Sequence, residues 1–181
     1  MSSLQPLGLL MVLKEWAVST GAFRRNRMDP GKKVLAAALC NAGYSYREVA
    51  GMVGGLSYIA ARDAYLALLT SLPEEARKYR REVAIDGADV TVGGRGFYLW
   101  IARDVDSGEI MSFHGSSSGS AEDSARFLAS VGAQCANRPL VRLGVGQNFP
   151  RELLNLDLYF QMAPTQSLIG RLGRIFMGSG Q

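Results

Sequence analysis

The 181-residue sequence predicts an α/β protein in which a cluster of three helices precedes a mixed five-stranded sheet with flanking helices. Three observations predict it. Up to residue 72, apolar residues recur at helical spacing between capping residues and glycines. From Val83 the pattern switches to a period of two, broken by Gly93-Gly94 and again by Asp106-Ser107-Gly108. Beyond Gly119, helical and strand patterns alternate, so the elements read β-β-β-α-β-α-β-α.

Each element has its own warrant. Residues 7–20 form an amphipathic segment with Leu10, Leu13, Trp16 and Ala17 near one face, and "GAFRRNRMDPG" reads as a basic, breaker-rich linker. Residues 1–30 are therefore expected to be an N-terminal arm or helix. "KKVLAAALCNAG" is helical until Gly43, and "YSYREVAGMVGG" restarts with Ser45 and Glu48 spaced as a capping box. Ser57 caps "SYIAARDAYLALLTS", which Pro73 closes. Three helices with a glycine turn before the last predict a helix-turn-helix over 31–72. Val83, Ile85, Val90 and Val92 flank "DGAD" in the first strand, "FYLWIARDV" is the second and "EIMSFHG" the third, all antiparallel. "SAEDSARFLASVGAQC" is a helix capped by Ser120, with Ala125, Leu128 and Ala129 expected inward. "RPLVRLGVG" and "LYFQMAP" are the fourth and fifth strands, with "FPRELLNLD" a short helix between them and "SLIGRLGRIFM" a terminal one.

Charge is unevenly spread. Residues 1–81 hold 12 Lys and Arg against 6 Asp and Glu, net +6, while residues 82–181 hold 8 against 10, net −2, which together give the +4 of the chain. A basic half fits a polyanion, because Lys and Arg replace the counterions condensed on phosphates. Arg24, Arg25, Arg27, Lys32, Lys33, Arg47 and Arg62 are the candidate phosphate contacts, with Tyr58 and Arg62 nearest the bases. Cys40 and Cys135 belong to no metal-ligand or disulfide pattern. The apolar run 7–13 is interrupted by Lys14-Glu15, short of the roughly 20 residues a bilayer span requires. A cytoplasmic protein, nucleoid-associated when bound to DNA, is expected.

Some chemistries find little support. His114 is the single histidine and has no serine or cysteine nucleophile pattern with it. "TVGGRG" lacks the P-loop lysine and joins two strands. Asp104 and Asp106 fall at a hairpin turn, a structural role. Asp86 remains, a lone acid inside an apolar strand.

The stretch "AIDGADVTVGGRGFYLWIARDVDSGEI", the helix "SAEDSARFL" and the segment "GVGQNFPRELLNLDLYF" together resemble the DDE transposase and integrase family, prokaryotic insertion-sequence type. "YSYREVA" resembles the helix-turn-helix that precedes the core in compact members. The resemblance runs from about residue 32 to the end and implies an RNase H-like domain over 80–181. In active members three carboxylates hold two divalent metals that act on a phosphodiester. The first acid falls on Asp86, but the positions of the second and third are Gly144 and Gly170.

The resemblance therefore implies a transposase-derived protein that binds DNA or a DNA-bound partner without cutting it and needs no cofactor. Two alternatives stay open. One is an interaction module or inhibitor that forms homo-oligomers or mixed assemblies, with the apolar residues of the last helix as its docking face. The other is a residual Mg²⁺-dependent nuclease using Glu122 or Asp123 beside Asp86.

Overall fold

In the computed structural model, which describes residues 5–23, 27–73, 77–144 and 160–162, helices begin where side chains can cap them. Helix α1 spans Gln5–Ser19. Helix α2 (Pro30–Asn41) starts earlier than its apolar run, because the Asp29 carboxylate accepts from the Gly31 N–H and Pro30, with φ already fixed, sits at the first helical position. The "MDPG" of the basic linker is thus a helix start. Helix α3 (Tyr46–Val53) carries the complete capping box, with Ser45 N–H donating to Glu48 Oε2 at 2.9 Å and Glu48 N–H to Ser45 Oγ at 3.3 Å. Gly54 and Gly55, at φ 69° and 71°, make the turn that leads to Ser57, the cap of α4 (Tyr58–Thr70).

Strands β1 (Glu82–Val92), β2 (Arg95–Asp104) and β3 (Ile110–Ser116) pair antiparallel, while β4 (Leu140–Leu143) runs parallel to β1 and β5 (Phe160–Met162) parallel to β4. The order across the sheet is β3-β2-β1-β4-β5. Helix α5 (Ala121–Ala133) links β3 to β4, which makes β1 and β4 parallel neighbours joined by a crossover. The short helix and terminal helix expected around residues 149–157 and 167–177 lie outside the described residues.

Alternation gives the sheet two apolar faces. Val83, Ile85, Trp100, Ala102 and Met111 pack against Phe127, Leu128 and Val131 of α5. Ala88, Val90, Phe97, Leu99 and Ile101 form one core with the helices, including Leu13, Leu39, Val49 and Leu68. The boundary near residue 72 therefore separates chain segments and not cores. Leu9, Leu13 and Ala17, at i, i+4 and i+8, are at most 2% exposed, so α1 is a core element and not a loose arm. One expectation about α5 is corrected: Ala125 and Ala129 are exposed, and the buried stripe is Ser124, Phe127, Leu128 and Val131. The larger Phe127 and Val131 remove more apolar area from water than two alanines would, and they set the helix phase.

Helix α2 meets β3 at Gly115. A Cβ there would stand 2.7 Å from the Ala38 carbonyl oxygen and 2.9 Å from the Ala42 Cβ. The Gly115 N–H donates to Asn41 Oδ1 at 2.6 Å, tying sheet to helix.

Two carboxylates near these caps make stability sensitive to acid. Hydrogen bonds from the Ser45 hydroxyl and amide and from Arg95 hold Glu48 down at about 2, and hydrogen bonds from Ser116, Ser118 and Ser120 hold Asp123 at about 2. Both folded-state values lie below the ordinary 4.5 and 3.8. Their contributions are therefore present above the unfolded values and are lost as pH falls through about 2. Thermal midpoints recorded from neutral pH down to this range should fall for the native chain, and its advantage over Glu48→Gln and Asp123→Asn should narrow. A constant gap across the window would contradict the assignment.

Candidate functional site

Asp86 lies on β1 opposite Ile101, on the sheet face that the helices cover. Its carboxylate is largely withdrawn from water, and burial pushes it above the ordinary aspartate value, partly offset by the charge of Arg103. Register explains the partner. Ala84 faces Arg103, so Arg103 is the diagonal neighbour of Asp86 on the same face, within reach of a long side chain. Burial lowers the Arg103 guanidinium and Asp86 raises it. Arg103 also lines a cavity of about 490 Å³ between α1 and the sheet, walled by Val12, Trp16, Val18 and Ile110.

On its other side Asp86 meets Gly144, the residue after β4. The Gly144 N–H continues the parallel ladder by donating to the Ile85 carbonyl at 2.8 Å. A Cβ on Gly144 would stand 1.7 Å from Asp86 Oδ1 and 2.9 Å from its Cγ. The carboxylate thus occupies the space that a side chain at 144 would fill. Among the described residues no three His, Cys, Asp or Glu side chains converge. One carboxylate beside a guanidinium and a glycine does not fit a Mg²⁺ ion, which demands near-octahedral oxygen ligation.

A second grouping surrounds the α3–α4 turn. Lys32 donates to the Gly54 carbonyl at 3.2 Å, and the Arg47 guanidinium sits 5.7 Å from the centre of the Tyr58 ring. Tyr58 is 50% exposed, and Arg62, one turn along α4, pairs loosely with Asp63 at 3.4 Å with its side chain 55% exposed. This is a solvated cationic and aromatic surface at the start of α4.

No family model matches the chain. It is 31% identical over 153 residues to the uncharacterized protein MJ0017 of Methanocaldococcus jannaschii, an alignment covering 83% of this chain and 72% of that protein. The chain belongs to the same family as that archaeal protein. Among solved structures, it is similar to a chain of the cryoEM structure of the simian T-cell lymphotropic virus intasome in complex with PP2A regulatory subunit B56 gamma, with a TM-score of 0.41 and 13% identity. That match covers 78% of this chain and 56% of the viral-structure chain, so this chain spans little more than half of it.

In this family member the residues singled out in the sequence fall into three groups. Asp86 and Gly144 are brought together. Lys32, Arg47, Tyr58 and Arg62 share the α3–α4 surface, and Arg27 is exposed before α2. Lys33 does not join them: it is 3% exposed, with its ammonium 4.8 Å from the centre of the Phe23 ring. A helix turns about 100° per residue, so adjacent lysines cannot share a face. Arg24, Arg25 and Gly170 lie outside the described residues. Asp123 is engaged by Ser116 and Ser118, and Glu122 pairs with Arg126, so neither is turned to Asp86. His114 stacks with Trp100 and Phe127 on the α5 face, and burial keeps it below the ordinary histidine value. Asp104 and Asp106 are held by Arg80 and Arg81. The residue that sequence reasoning missed is Arg103. Its signal was an arginine continuing the inward series Phe97, Leu99, Ile101.

Proposed function

We propose that this chain is a transposase-derived protein whose α2–α4 helices form a helix-turn-helix, and that it binds DNA or a DNA-bound partner through the α3–α4 surface without cutting it. The observation that carries the non-cutting half is the seating of the Asp86 carboxylate over Gly144, where the family's second acid would stand. The strand order β3-β2-β1-β4-β5, with β2 antiparallel and β1 beside a parallel β4, agrees with the RNase H-like core that the sequence resembles. Among the described residues no second carboxylate stands beside Asp86. The binding half rests on exposed Arg27, Lys32, Arg47 and Arg62 around an exposed tyrosine at a capped helix start. No helix among the described residues is long and apolar enough to cross a membrane.

The test is a duplex-binding titration at several salt concentrations. The logarithm of affinity should fall with the logarithm of salt by roughly 0.9 per phosphate neutralised, and Arg47→Ala or Arg62→Ala should each reduce that slope by about 1. Binding that ignores salt, or no duplex binding, would sink the reading. So would strand cleavage by the native chain in Mg²⁺ or Mn²⁺ that Asp86→Ala abolishes.

A further inference from the structure

Lys33 is the least expected side chain among the described residues: a lysine 3% exposed, on the second turn of α2. Its ammonium faces the Phe23 ring at 4.8 Å, an arrangement that favours the charged form. Burial alone holds it below the ordinary lysine value. Withdrawing an ammonium from water is costly, and an anion beside it offsets that cost.

The surroundings have room for one. Lys33 lines a cavity of about 540 Å³ between α4 and the loop after α1, within the size range of small-molecule sites. One wall is the α4 stripe Ala60, Asp63, Ala64 and Ala67, at i, i+3, i+4 and i+7, and Phe23 and Ile59 add apolar surface. Ser57 also lines it. Its Oγ accepts the Ala60 N–H at 3.1 Å, which leaves its own hydroxyl hydrogen to donate, and the first N–H groups of the 13-residue α4 lie beside it. A helix N-terminus favours negative charge. Asp63 turns its carboxylate to Arg62 at 3.4 Å, and its negative charge at the cavity disfavours a ligand with a second anionic group.

The geometry points to a binding site for a small monoanion with an apolar body, a carboxylate held by the Lys33 ammonium and the Ser57 end of α4, with its hydrocarbon against Phe23, Ile59 and Ala67. The site adjoins the α3–α4 surface at Ser57 and Asp63, but its argument does not depend on the DNA-binding reading.

The test uses the full chain, with 4-phenylbutyrate and the uncharged 4-phenylbutan-1-ol as probes in calorimetry or ligand-observed NMR. The carboxylate should bind the native chain about tenfold or more tightly than the alcohol, the ordinary size of a charge-assisted hydrogen bond. Lys33→Met, which keeps length and removes charge, should erase that preference while leaving the alcohol unchanged. Ala67→Leu, which fills the cavity from α4, should weaken both probes and serves if Lys33→Met does not fold. Equal binding of the two probes by the native chain, or no binding of either, overturns the proposal. Displacement of the carboxylate by a short duplex also overturns it, because Lys33 would then serve a phosphodiester.

Discussion

Gly144→Ala should destabilise the native chain by about 2–3 kcal/mol, and by less than about 1 kcal/mol when Asp86 is also alanine. The added methyl would start 1.7 Å from Asp86 Oδ1, a contact that no real Cβ makes, and 3.5 Å from the Ile85 carbonyl oxygen, an ordinary one. The backbone itself does not demand glycine, since no left-handed φ is found at 144. The whole effect should therefore run through one side chain. Asp86→Ala alone should be close to neutral at neutral pH. Its carboxylate is raised by burial, so whatever stability it lends is present below the unfolded value of 3.8 and is lost as pH rises through the folded one. Urea unfolding of the four proteins of the cycle gives the coupling directly. Additive changes would mean that the acid and the glycine are not in contact.

Arg80→Leu should cost about 3–5 kcal/mol, lowering the thermal midpoint by roughly 10 °C or more for a chain of this size. The Arg80 side chain is 2% exposed and donates to Asp104 at 2.6 Å and to Glu109 at 3.0 Å. Asp104 in turn accepts the Asp106 and Ser107 amides at 2.9 Å and 3.0 Å, which fixes the β2–β3 turn. Although burial pushes Asp104 up, these amides and Arg80 hold it below the ordinary aspartate value. Removing the arginine leaves a buried carboxylate without its charge partner. Arg80→Leu with Asp104→Leu should therefore cost less than Arg80→Leu alone would lead one to expect from two separate losses. A loss under about 1 kcal/mol in the single variant, typical of an exposed pair, would show that water reaches the site.

Much of this fold is written locally. Ser45 with Glu48, Ser57 and Ser120 cap helices because each interaction spans three residues, which sequence shows directly. Gly93-Gly94 and the alternation on either side reveal the first hairpin for the same reason. What sequence does not display is set by contacts between distant segments. The pairing of Arg80 with Asp104 and Glu109 crosses 24 and 29 residues. The burial of Lys33 depends on how α4 and the 21–23 loop close over α2. The facing of Arg103 to Asp86 requires the strand register. At the lone acid, the resemblance points to Gly144, and the register brings the two into contact; the phase of α5 is not fixed by its sequence, because small alanines match two faces equally well.

The seam at Gly115 has a mechanical consequence. With the Ala38 carbonyl and the Ala42 methyl seated on a bare glycine, and Asn41 fastening its amide, α2 has no slack along β3. Sliding the helix would drive a side chain into that gap or break the Asn41 bond, so any shift of α2 must carry β3 with it.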